Sequence, residues 1–358
     1  MARIPDGSRV ADYDYRLPDH RIARYPTPRR DESRLLVVPR NEGAFRHLRF
    51  RDVVELFEPG DVVVVNESKV RPARLLGRKP TGANAEVLLL RPAPGADDPH
   101  LWEALVRPGG KLKPGRTVEI APDLTVEILD GAPGGGRLVR LVCPGSVEEA
   151  LDRHGAMPLP PYIDRDAEPL DRERYQTVYA RVPGSVAAPT AGLHITEEVL
   201  AALEAKGVAR AAVTLHVGIG TFRPVEVDDP ADHELHHEAY EVPEAAADTV
   251  NAARRAGGRV WAVGTTAVRT LESMADPTGA VHAGTGSTDL FIRPPYPFKT
   301  VDCLLTNFHL PRSTLLMLVA ALGGYGQVMD AYREAISGSY RFYSYGDAMA
   351  VVRRRGHP

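Results

Sequence analysis

Five of the twelve histidines fall between residues 194 and 237, and a sixth, His309, closes the run VDCLLTNFH. Imidazole titrates closest to neutral pH, so these side chains are the first candidates for proton transfer. Their neighbours are polar and small. The apolar run ending at His216 continues Val-Gly218-Ile-Gly220-Thr221-Phe-Arg223. The run RVWAV ends in Gly264-Thr265-Thr266, and LLTNF carries Thr306 and Asn307 just before His309. In open α/β sheets ligands sit beyond the carboxyl ends of strands. Backbone N–H groups at helix starts there can receive a polar or anionic ligand. Three such endings in one chain predict a cleft.

Two short patterns are tempting and fail. Gly218 and Gly220 begin a G-x-G pattern, but Arg223 takes the third glycine position and Pro224 follows, so no dinucleotide loop opens a helix. His233-Glu234-Leu-His-His237 spells H-E-x-x-H, in which two histidines on one helical turn would hold zinc and Glu234 would act as base. Asp229-Pro230 precedes it and Pro243 follows, and no Asp, Glu or His occurs between 249 and 271 to supply a third ligand. The zinc-hydrolase reading is carried only as an alternative, and the expectation is no metal.

The elements that must position these residues show in the patterning. Residues 61–145 read as β throughout, from DVVVVN through AEVLLLRP, LWEALVRP and TVEILD to RLVRLVC, with glycine turns between. That texture predicts a small barrel. Ser146 and Glu149 form a capping box for a helix stopping at Gly155. Beyond it helices and strands alternate: a helix capped by Thr196, the strand ARAAVTLHV, the helix PEAAADTVNAARRA, the strand RVWAVG, the helix TAVRTLESM, the strand VDCLLTNF, and two helices up to Gly338. The strand RLLVV and a helix DVVELF lie before residue 60. The expected architecture is a three-layer α/β domain, residues 1–60 and 146–358, with a small β-barrel domain, residues 61–145, inserted into it.

Composition narrows the class. The 358 residues are 43% hydrophobic and 25% charged, as in ordinary globular chains. Two distant cysteines, Cys143 and Cys303, make no disulfide framework or C-x-x-C site. The longest apolar run, Leu315–Leu322, is too short to span a bilayer, and the first residues carry no apolar signal core. The expectation is a soluble cytoplasmic protein with no membrane partner, and a monomer. The net charge of −3 excludes a generally basic nucleic-acid coat, but Lys69–Lys79 holds five basic residues and no acid.

Longer motifs carry a resemblance. APTAGLHIT, VTLHVGIGTFRPV, HELHHEAYEV, LLTNFHLPRSTLLMLV and YRFYSYGDAM, with YDYRLPDHRIARYPTPRRDESRLLVV, NESKVRPARL and MPLPPYI, run in the order of one family. From about residue 11 to residue 352 the chain resembles the S-adenosylmethionine:tRNA ribosyltransferase-isomerases of queuosine biosynthesis. The resemblance implies an α/β domain with an inserted barrel. It also implies an enzyme that uses S-adenosylmethionine as ribosyl donor, as a co-substrate, with no other cofactor. The implied acceptor is 7-aminomethyl-7-deazaguanine at the wobble position of tRNA. The products are epoxyqueuosine-tRNA, adenine and methionine. Ile195, Glu67 and Ser287 depart from the family pattern, which keeps a free 7-deazaguanine small molecule as an alternative acceptor.

Side-chain chemistry then assigns expected roles. His216 or His309 moves the proton. Asp347 or Glu238 accepts from the acceptor amine or holds a ribose hydroxyl. Arg223 and Arg312 take the methionine carboxylate. Thr265, Thr266 and Asn307 hydrogen-bond adenine or ribose, with Tyr345 and His194 also in the substrate site. Arg71, Arg74, Arg78 and Lys79 on the barrel contact tRNA, by analogy with oligonucleotide-binding barrels.

Overall fold

The computed structural model describes residues 4–40, 42–218 and 225–353. Its spine is a nine-stranded sheet. The four central strands, Ala209–Leu215, Val62–Asn66, Val260–Val263 and Cys303–Asn307, lie side by side and parallel. Their carboxyl ends therefore open on one edge. Ala348–Val352 runs antiparallel beside Cys303–Asn307, followed by Arg34–Pro39 and Arg46–Arg49. Glu238–Val242 and Gly284–Thr288 extend the other side.

Side chains on these strands alternate between two cores, as the two-residue repeat of a strand requires. Val62, Val64, Val260, Ala262 and Leu304 pack with the helices Glu244–Arg255, Thr265–Met274, Thr314–Gly323 and Tyr325–Ser337. Val63, Val65, Trp261, Val263 and Leu305 face the helix Glu197–Ala205 and the 3₁₀ segment Phe50–Leu56. Both faces are covered, which is why these strands read as unbroken apolar runs. The result is the expected three-layer α/β arrangement. Among the described residues no single helix is long and apolar enough to cross a membrane.

A closed six-stranded barrel is built from Arg74–Arg78, Asn84–Pro92, Leu101–Arg107, Thr117–Ala121, Leu124–Ala132 and Gly136–Val142. Gly77 permits closure: a Cβ there would stand 2.3 Å from the Glu119 carbonyl oxygen of the neighbouring strand. Leu75, Val87, Trp102, Val126 and Val139 fill the interior, and the helix Val147–His154 adds Val147, Ala150 and Leu151 to that core.

These placements correct both expected borders. Val62–Asn66 is a central strand of the large sheet rather than the first strand of the barrel. Residue 61 is therefore not a boundary, and strand texture alone could not separate a fully buried parallel strand from a barrel strand. The helix after residue 145 packs with the barrel. The expected helix DVVELF is a 3₁₀ segment.

Candidate active site

The three strand endings converge. Val217, Gly264 to Thr266, and Thr306 to Leu310 line one cleft of about 630 Å³, including its open mouth. Asn66, at the end of the fourth parallel strand, fastens this edge. Its Nδ2 donates to the Leu215 carbonyl and to Thr266 Oγ1, and its Oδ1 accepts from Ser68 N and Leu215 N. Two helix starts open on the cleft, at Thr265 and at Ser313, whose Oγ accepts from Leu316 N.

His309 lines the cleft and is gripped from behind. Its N–H donates to Tyr332 Oη at 2.8 Å, and its carbonyl accepts from the Tyr15 hydroxyl. Nε2 lies 2.7 Å from Thr306 Oγ1. Burial pushes the imidazole down to about 3, so the ring is neutral at physiological pH. The neutral ring has a nitrogen able to accept a proton, and the burial that keeps it neutral also weakens it as a base, so a bound substrate must stabilise the imidazolium for it to act as one.

Sequence reasoning missed other residues of the lining. Tyr162, Tyr343 and Ser344 line the cleft, with the two aromatic rings 4.7 Å apart and Tyr162 Oη 2.6 Å from Ser344 Oγ. Tyr343 adopts φ +70°, a backbone conformation uncommon for a residue with a bulky side chain. Pro189 to Ala191 also line the cleft. The motifs MPLPPYI and YRFYSYGDAM were visible, but a tyrosine is equally at home in a core, so its type gave no signal.

Several expected site residues have other work. Both oxygens of Asp347 accept backbone N–H groups, from Arg34 at 2.7 Å and Arg341 at 2.8 Å. Burial raises its carboxyl above the usual range, and it ties two chain segments together away from the cleft lining. Glu238 accepts from Gly218 N at 2.9 Å and pairs with the Arg269 guanidinium, which also donates to the carbonyls of Leu290 and Thr288. Arg269, buried on a helix, was not anticipated, and it makes Glu238 a clamp on the chain after His216. Arg312 pairs with Asp14 at the surface and is not on the cleft wall. Tyr345 donates to Asp171 Oδ1, and it lines a smaller, separate cleft with His194. Arg223 lies outside the described residues.

His216 is beside the cleft rather than on its wall. Its imidazole packs on the Gly184 backbone, where a Cβ would come within 2.6 Å of the ring. Burial, and then the nearby Arg71 guanidinium, hold its titration below the ordinary histidine value. Of the barrel cations, Arg78 is exposed, while Arg74 pairs with Glu86 at 2.9 Å. Arg71 lies half-buried over the Trp102 ring, and Lys79 is partly covered.

The H-E-x-x-H string is not helical. His233 follows a three-residue 3₁₀ turn and packs against Phe291, and the chain enters the strand Glu238–Val242 directly after His237. The two histidines do not share one helical face, the arrangement a zinc peptidase requires. Among the described residues no three His, Cys, Asp or Glu side chains gather as a metal site.

Residues 10–351 match a family described as a queuosine biosynthesis protein. The chain is 54% identical over 346 residues to the S-adenosylmethionine:tRNA ribosyltransferase-isomerase of Symbiobacterium thermophilum, covering 96% of this chain and all of that one. It is 49% identical over 342 residues to the protein of the same name from Geobacter sulfurreducens, covering 96% and 99%. The crystal structure of S-adenosylmethionine tRNA ribosyltransferase from Thermotoga maritima is similar with a TM-score of 0.55 at 40% identity, over 95% of this chain and 99% of that one.

Proposed function

Because the chain belongs to the S-adenosylmethionine:tRNA ribosyltransferase-isomerase family of queuosine biosynthesis, and is an enzyme of that kind, we propose that it transfers and isomerises the ribosyl group of S-adenosylmethionine onto 7-aminomethyl-7-deazaguanine in the tRNA wobble position. Epoxyqueuosine-tRNA, adenine and methionine are the products. The observation that carries this reading is the meeting of His309, Asn307, Thr265 and Thr266 at one cleft walled by Tyr162 and Tyr343.

The sulfonium of the donor acidifies the C5′ protons of its ribose. His309, held neutral by burial, takes one of them, leaving the electron pair on carbon as an ylide. The C5′ pair forms a C4′–C5′ double bond and breaks C4′–O4′, the O4′ pair makes C1′ a carbonyl, and adenine leaves C1′ with the C–N pair and takes the proton that His309 accepted. The acceptor amine adds to C4′ and gives up a proton, which returns an electron pair to C5′. C5′ then closes on the C1′ carbonyl, and the oxyanion formed there displaces methionine from C5′ with the C–S pair, leaving the epoxide. These steps exchange protons and C–O, C–N, C–C and C–S bonds without an external oxidant or reductant, so they need no metal and no cofactor beyond S-adenosylmethionine as co-substrate.

The remaining residues orient and shield. Tyr162 and Tyr343, packed on each other, put aromatic surface on the cleft lining against which a purine can lie. The helix starts at Thr265 and Ser313 favour the methionine carboxylate through their free N–H groups. A wobble base must be splayed from the anticodon loop to reach the cleft. Of Arg71, Arg74, Arg78 and Lys79, Arg78 is the exposed one and is free of cover to meet the loop's phosphates. The test is adenine release from S-adenosylmethionine with two acceptors in parallel: tRNA carrying the aminomethyl base, and the free 7-aminomethyl-7-deazaguanine base. Release with the tRNA alone supports this reading. Release with the free base alone supports the small-molecule alternative.

A further inference from the structure

Asn307 lines the cleft, and behind it lies a short chain of buried polar groups. Asn307 Nδ2 stands 3.2 Å from the Tyr343 carbonyl oxygen and 3.0 Å from His194 Nε2. His194 Nδ1 stands 2.7 Å from Ser33 Oγ, which reaches the Arg30 carbonyl at 3.4 Å. Ser33, His194 and Asn307 are each at most 4% exposed. His194 is also stacked on Phe50, with ring centroids 5.1 Å apart.

The two carbonyls at the ends fix the direction of every bond. A carbonyl oxygen only accepts, so the atom of Asn307 facing Tyr343 must be the NH₂ group. Its second hydrogen points at His194 Nε2, which must therefore be the unprotonated ring nitrogen. Nδ1 then carries the hydrogen and donates to Ser33 Oγ, and the Ser33 hydroxyl donates to the Arg30 carbonyl. Protonating His194 would set an N–H against an N–H. Burial, with the Arg30 and Arg341 charges adding to it, holds the ring neutral.

Both donors of Asn307 are thus taken on the protein side, and Oδ1 is left buried with no hydrogen-bond partner. An unsatisfied buried carbonyl oxygen at a cleft wall is costly, and a ligand donor would relieve that cost. Resting on the functional reading above, we propose that His194 is a positioning residue: it orients the Asn307 amide so that Oδ1 accepts one N–H or O–H donor of the S-adenosyl group, either the adenine exocyclic amine or a ribose hydroxyl. This differs from the expected direct contact of His194 with substrate. His194 borders the smaller cleft and acts through Asn307.

The test pairs donor-deleted analogues of S-adenosylmethionine with variants. Three analogues lack, in turn, the adenine amino group, the 2′-hydroxyl and the 3′-hydroxyl. Affinities are measured by calorimetry on the wild type, Asn307→Leu, His194→Asn and His194→Gln. One analogue is expected to bind the wild type about 10- to 100-fold more weakly than S-adenosylmethionine. In Asn307→Leu and His194→Asn that penalty should shrink to under about threefold, with the other two ratios unchanged. His194→Gln, whose side-chain oxygen can accept near the Nε2 position, should recover most of the penalty. The analogue that shows the coupling identifies the donor. Nitrogen NMR on the wild type, which needs no variant to fold, should show neutral His194 protonated at Nδ1.

Wild-type binding with no penalty coupled to either residue overturns the assignment alone, as does a ring protonated at Nε2. A lower melting temperature with unchanged analogue ratios likewise reduces His194 to a structural role and overturns it. Failure of the wild type to bind S-adenosylmethionine at all overturns the functional reading and this assignment together.

Discussion

His309 and Thr306 form a hydrogen-bonded pair on the cleft wall, with Nε2 2.7 Å from Oγ1, at the end of one parallel strand. The contact fixes the ring plane, while Tyr15 and Tyr332 fix the backbone that carries it. His309→Ala should therefore stay folded and slow adenine release by about a hundredfold or more. His216→Ala, which removes a ring packed outside the cleft lining, should cost less than about tenfold. Steady-state assays beside thermal melts check both. Equal losses in the two variants would remove His309 from its role as the base.

Glu238 and Arg269 are both nearly buried, at 6% and 7% exposure. Glu238→Gln leaves the guanidinium without its counter-charge, and breaking such a pair costs about 3–5 kcal/mol. Chemical denaturation should show a loss of that order. A loss below about 1 kcal/mol would mean the pair is solvated in solution, as surface pairs are.

The contrast between these sites shows what the sequence could convey. Thr265, Thr266, Asn307 and His309 were legible because small polar residues after an apolar run mark a strand's carboxyl end. The alternation of Val62 to Val65 between two cores was not legible, because a strand buried on both faces shows no period. Gly284–Thr288 was missed for the opposite reason, being almost free of apolar side chains and largely exposed. Asp347 and Glu238 were legible as carboxylates but not as clamps. Arg34 and Arg269 lie far away in sequence, so only the fold brings them to these carboxylates, and the turn that returns the Arg341 N–H to Asp347 carries no residue-type signal.

His194 makes stability sensitive to acid. Its folded-state titration is lowered to about 3, below the unfolded value of about 6.5. Between those values the unfolded chain binds a proton that the folded chain does not. The neutral ring's contribution is therefore complete above about pH 6.5 and is lost as pH falls toward 3, by roughly 1 kcal/mol per pH unit. Melts from pH 7 to pH 4 should show His194→Gln losing stability less steeply, by about one proton. Parallel curves for the two proteins would mean that His194 takes up its proton in the folded state.

Arg78 is exposed on the barrel, and Arg74 is engaged by Glu86. Arg78→Ala should lower the log–log salt slope of tRNA binding by about 0.7, and Arg74→Ala should change it little. Affinity for S-adenosylmethionine should be the same in both, since neither residue lines the cleft. An unchanged slope in Arg78→Ala would move the RNA surface away from this strand, toward the arginine-rich first 50 residues.

The most direct test is a single-turnover incubation of the purified protein, in buffer containing a chelator, with S-adenosylmethionine and tRNA bearing 7-aminomethyl-7-deazaguanine at the wobble position. Mass spectrometry of the digested tRNA and of the small molecules should show epoxyqueuosine with adenine and methionine in equal amounts. An unmodified wobble base with no adenine released, or product formation that requires added zinc, would contradict the account.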